Sequence, residues 1–154
     1  MFKLLLAFAA VVSCLLPARA ETWVKVQSPH FTVISNGNEK DARNVAAGFE
    51  QIRAVFALAL PGLRTDSGAE TIVIAMKDRS TFTNLVPNEK KQADSIRGEF
   101  MKGWEKDYVI VRMDFPEYTR ETVYHEYIHK LLGLNFTRLP IWLNEGLAEF
   151  FANS

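Results

Sequence analysis

Apolar and polar positions change rhythm several times along this chain, and each change marks an element. Trp23 to Gln27 and Phe31 to Ser35 alternate around Ser28-Pro29, which predicts two short strands joined by a turn. Asn36-Gly37-Asn38 breaks the alternation and can cap a helix. From Glu39 to about Leu60, Val45, Phe49, Ile52, Val55 and Phe56 recur at helical spacing, and Pro61-Gly62 ends the run. Thr71 to Met76 is β-branched and apolar, which predicts a central strand. Asp78 to Val86 then predicts a short helix or turn, and Pro87 to Asp94 a solvated loop that includes Glu89-Lys90-Lys91. Gly98 to Met101 and Tyr108 to Met113 pair as a hairpin across Lys102 to Asp107. Glu117 to Leu132 is helical and ended by Gly133, and Pro140 opens a final helix where its missing N–H does no harm. No segment repeats. This order predicts an α+β domain in which a small mixed or antiparallel sheet backs two C-terminal helices.

Length and composition narrow the picture. The 154 residues suffice for one domain with a sizeable core. Eighteen basic and eighteen acidic residues balance, and no Lys/Arg cluster points to nucleic acid. Residues 1–20 carry Lys3, an apolar stretch from Leu4 to Leu16, and Ala18-Arg19-Ala20. These are the three parts of a secretory signal peptide, too short to span a membrane comfortably, so an exported domain covering residues 21–154 is expected in the periplasm or outside the cell. The single cysteine, Cys14, lies in this segment in a setting like a lipobox. Leu15-Leu16-Pro17 follows it instead of polar residues, so simple cleavage is expected over lipid attachment. The domain after cleavage has no cysteine, and any metal chemistry must rest on histidine and carboxylate. No later segment is apolar enough for a membrane span.

The chemistry concentrates near the end of the chain. His125-Glu126-Tyr127-Ile128-His129 puts two imidazoles one helical turn apart on one face, roughly 6 Å apart at Cβ. Two imidazoles make a weak site, and a catalytic zinc commonly takes three protein ligands. Glu145 can be the third. Fifteen residues separate it from His129, enough for one helix to end, the chain to reverse, and a second helix to return the carboxylate. Gly146 beside it would let the two helices approach closely. Glu126 is not in line with the two rings and is placed to take a proton from water at the metal. Glu149, one turn after Glu145, could accept the outer N–H of a ligating histidine and fix its tautomer.

His125-Glu126-x-x-His129 with Asn144-Glu145-Gly146 resembles the gluzincin branch of zinc metallopeptidases. More narrowly, Pro140-Ile-Trp-Leu-Asn-Glu-Gly-Leu-Ala-Glu-Phe-Phe looks like the peptidase-MA-like domain of exported bacterial proteins. The resemblance covers about thirty residues. It implies a zincin-like fold, zinc held by His125, His129 and Glu145, Glu126 as catalytic acid/base, and a peptide or protein substrate. Gluzincins usually carry an oxyanion-stabilising Tyr or His beyond the third ligand, whereas only nine residues follow Glu145. Either a C-terminal helical domain is missing, or Tyr108, Arg112, Tyr118 or Tyr124 substitutes.

A zincin-like module that only binds or scaffolds envelope proteins is the alternative, and a cell-wall amidase a third. Glu126 argues against a purely structural site. His30, the one histidine outside the motif, is expected at a turn or edge. Trp142 and Leu143 are expected to pack and seat the ligand helix, and Trp104 to pack locally at its hairpin tip. If the strand Tyr108 to Met113 lies at the sheet edge, it could receive an extended peptide by strand addition.

Overall fold

The computed structural model describes residues 21–86, 98–114 and 118–154, with side chains from 121 onward in the last segment. The signal-peptide reading with Cys14, the loop from Pro87 to Asp94 and the side chain of Tyr118 lie outside the described residues. The described chain is mixed α+β, with a five-stranded sheet and four helices.

Strands β1 (Val24–Gln27) and β2 (Phe31–Ser35) form the antiparallel pair that the opening alternation predicts. Helix α1 (Glu39–Ala59) follows, and Asn38 caps it by accepting the Asp41 N–H at 2.9 Å. β3 (Glu70–Met76) runs parallel to β2 and lies at the centre of the sheet. Helix α2 (Arg79–Leu85) starts at Asp78, whose carboxylate accepts the Thr81 N–H at 2.8 Å. β4 (Gly98–Lys102) and β5 (Lys106–Arg112) form the hairpin. Helices α3 (Tyr118–Asn135) and α4 (Ile141–Ala152) close the chain.

The strand order is β1-β2-β3-β5-β4, with β3 and β5 parallel. β5 therefore has a partner on each side and cannot add a peptide. Among the described residues β4 is the outer strand next to α3. Sequence order puts the two hairpin strands side by side but does not say which of them meets β3.

Side chains alternate across the sheet and divide its two faces. Val33, Val73, Val109 and Val111 look towards α1, α3 and α4 and build the main core with Phe49, Phe56, Ile128 and Leu131. Met76, Phe82 and Ile110 form a smaller cluster under α2 on the other face. Close helix contact needs two glycines. A Cβ on Gly48 would lie 1.7 Å from the Tyr124 hydroxyl, and one on Gly98 would lie 2.4 Å from Val123. α3 thus lies directly against α1 and β4.

Gly133 does not stop α3, which runs to Asn135. There the Asn135 amide accepts the Arg64 N–H at 2.7 Å and donates to the Arg64 and Leu131 carbonyls at 2.8 Å. The side chain supplies the end of the helix that glycine was expected to provide.

Candidate metal centre

The five residues of the HExxH stretch divide between two sides of α3. Tyr127 and Ile128 point into the core, where Tyr127 meets the rings of Phe31 at 5.5 Å and Phe49 at 5.6 Å. Burial raises the Tyr127 phenol well above its ordinary value. With Val123, Leu131 and Leu132 these residues make one apolar stripe, and burying it leaves His125, Glu126 and His129 partly exposed.

Helix α4 returns across α3 after a five-residue connection, 136–140. Ala148, Phe151 and Ala152 seat it, with Phe151 stacked obliquely on Phe56 at 5.4 Å. Small Ala148 and Ala152 let the helix lie close. Gly146 faces open space, with nothing within 4 Å of a built Cβ, so it does not mediate the contact assigned to it. That packing leaves Glu145 and Glu149 on the edge of α4 nearest the histidines.

Three donor atoms converge. His125 Nε2 and His129 Nε2 are 2.9 Å apart, and Glu145 Oε2 lies 3.3 Å from the first and 3.5 Å from the second. Tetrahedral bonds of about 2.1 Å place ligand atoms about 3.4 Å apart. The observed triangle is close to one face of such a tetrahedron, and this group could hold a metal ion. The donor set of two imidazoles and a carboxylate suits zinc.

The outer nitrogens of the two rings differ. His125 Nδ1 lies 3.5 Å from Glu149 Oε2, while Glu149 Oε1 accepts an N–H of Asn153 at 3.2 Å. Asn153 and Glu149 thus line up behind His125, in the place expected for Glu149. His129 Nδ1 is buried, with no hydrogen-bond partner among the described residues. A buried polar atom left this way is costly. A cation on Nε2 would leave the ring proton on this Nδ1, so among the described residues His129 lacks the outer acceptor that Glu149 offers His125.

Three of the four oxyanion candidates, Tyr108, Arg112 and Tyr124, do not gather here. Tyr108 and Arg112 share a strand face with Ile110, on the α2 side of the sheet, whereas α3 covers the Val109 and Val111 side. Arg112 is 3% exposed, forks onto Asp114 at 2.7 and 3.1 Å, and lies over the Phe82 ring. Tyr124 stands against Gly48 and Phe49 of α1.

Trp142 and Trp104 also depart from expectation. Trp142 is 72% exposed and does not seat α4, and Trp104 is fully exposed. Leu143 is half-buried. His30 sits at the turn as expected, paired with Glu50 at 2.7 Å. Sequence reading missed Lys130 and Asp107, whose side chains pair behind α3 at 8% and 4% exposure, and Asn153. Asp107 was expected in the hairpin connection, whereas the strand begins at Lys106 and turns Asp107 inwards.

Neither a family model nor a curated protein matches this chain. The geometry therefore carries the functional reading by itself.

Proposed function

We propose that the chain is an exported zinc metallopeptidase of zincin-like fold. The observation that carries this is the donor triangle of His125, His129 and Glu145, with Glu126 following His125 on the same helix, partly exposed. A bound zinc would supply Lewis acidity and lower the pKa of water towards roughly 7. Glu126 takes a proton from the attacking water as the new C–O bond forms. It then gives that proton to the departing amine as the C–N bond breaks. Glu149, 3.5 Å from the outer nitrogen of His125, would accept its N–H and so orient the ring. β4, the outer strand beside α3, offers backbone groups on which an extended peptide can lie. Among the described residues no helix is long and apolar enough to cross a membrane.

A second reading has an observation in its favour. Tyr108 and Arg112 lie across the sheet and Tyr124 stands against α1, so three oxyanion candidates are engaged elsewhere. A metal-containing module that binds envelope proteins without turning them over would need none of them. Glu126 favours the peptidase, because a structural site has no use for that carboxylate.

Metal analysis of the purified protein tests the first reading, with about one zinc per chain expected and its loss in His125→Ala. Wild-type protein without metal sinks it. Zinc-loaded protein that leaves a mixed peptide library intact selects the binding module instead.

A further inference from the structure

Lys130 follows His129 and ends in the interior, 8% exposed. Its Nζ lies 2.7 Å from Asp107 Oδ2 on β5 and donates to Thr71 Oγ1 on β3 at 2.8 Å. The ammonium also stands 5.2 Å from the Phe100 ring on β4 and 5.8 Å from that of Tyr127. Asp107, 4% exposed, takes a second bond from Ser67 at 3.3 Å. One side chain of α3 is thereby tied to three strands of the sheet.

Such a contact is an expensive way to fill space. Desolvating both charges offsets much of their attraction, and a methionine of similar length would occupy the site without that cost. What an ion pair adds over apolar packing is direction. Apolar contacts have no preferred direction, whereas the ammonium must keep Asp107 and Thr71 within hydrogen-bond reach, which limits how far α3 can turn.

The metal site needs that turn to be fixed. A side-chain tip about 6 Å from a helix axis moves about 1 Å for a 10° rotation. Metal–ligand distances hold to about 0.2 Å. We infer that Lys130, through Asp107 and Thr71, is a positioning residue that sets the rotation of α3 and so aims His125 and His129 at Glu145. The pair also turns Lys130 away from Glu126, the partner that i,i+4 spacing offers it. This rests on the metal reading above.

Zinc and cobalt titrations against a competing chelator test the inference on the full chain, with urea unfolding alongside. Lys130→Met strands the Asp107 charge and should lower both stability and zinc affinity. The Lys130→Met/Asp107→Leu pair removes that stranded charge and should regain wild-type stability. Its zinc affinity should stay about 10-fold to 100-fold below wild type, as when an outer support of a ligand is lost. Its cobalt absorption should lose the wild-type band shape. Thr71→Val, which removes one bond and keeps the ion pair, should give a smaller loss in the same direction. If Lys130→Met does not fold, the double variant and Thr71→Val carry the test. A double variant with wild-type stability, affinity and cobalt spectrum overturns the positioning role and leaves the metal site standing. Wild-type protein that takes up neither metal overturns both.

Discussion

Two polar groups, one residue apart on α3, are treated in opposite ways. Lys130 is buried and tied to Asp107 and Thr71 at 2.7 and 2.8 Å. His129, by contrast, has one nitrogen buried without a partner among the described residues, and the other aimed at His125 and Glu145. Glu145 itself is 55% exposed. The fold satisfies polar groups that hold it together. In the donor triangle it brings two imidazoles and a carboxylate together and leaves one buried ring nitrogen without a partner among the described residues. The contrast divides α3 into a packed side, built on Val123, Ile128, Leu131 and Leu132, and an open side that carries His125, Glu126 and His129.

The largest expected effect lies on the open side. Glu126→Gln should retain zinc and lower peptide hydrolysis by at least about 100-fold. Retained activity in that variant would remove Glu126 as the base. On the packed side, Ile128→Ala should cost about 2–5 kcal/mol of unfolding free energy, because Ile128 is fully buried between α3 and the sheet. Its zinc stoichiometry at saturation should not change. An Ile128 variant that loses metal while still folded would break the division between the two sides.

Smaller changes sharpen it. Glu149→Gln keeps the shape but weakens the acceptor behind His125, and zinc affinity should fall about 10-fold. Chelator competition measures this, and wild-type affinity would make the 3.5 Å approach incidental. Asp78 is remote from both sides, capping α2 across the sheet. Asp78→Ala should cost about 1 kcal/mol and leave metal binding alone. The Thr81 backbone N–H beside Asp78 holds its carboxyl below the ordinary value of 3.8. A depressed folded-state value means that the cap contributes fully above 3.8 and loses its contribution as pH falls through the lower value. The stability gap between wild type and Asp78→Ala should therefore close in acid. A gap that persists in acid assigns the cost to packing.

Much of this was legible before any coordinates. The strands, the hairpin and three of the described helices follow from sequence pattern, Asp78 to Val86 takes the helical one of its two expected forms, and the caps at Asn38 and Asp78 lie at the expected starts. Helix ends were harder to read: Gly133 is a common stop signal, yet α3 continues until Asn135 finds the Arg64 backbone 71 residues away in sequence. Such a partner has no local signature.

Sequence alone determined which residues are chemically suited to hold a metal. His125 and His129 share a helix face because 3.6 residues make a turn, and Glu145 and Glu149 share another for the same reason. Only the tertiary structure decided that the two faces meet. It placed Tyr108 and Arg112 across the sheet, since a strand position does not reveal which face is covered. Strand order, not strand sequence, made β4 an outer strand among the described residues and β5 an inner one. The packing also buried Lys130 and left Trp142 in solvent. Local periodicity fixes how a segment is built, while the solvent exposure and partner of each side chain depend on contacts between segments far apart in the chain.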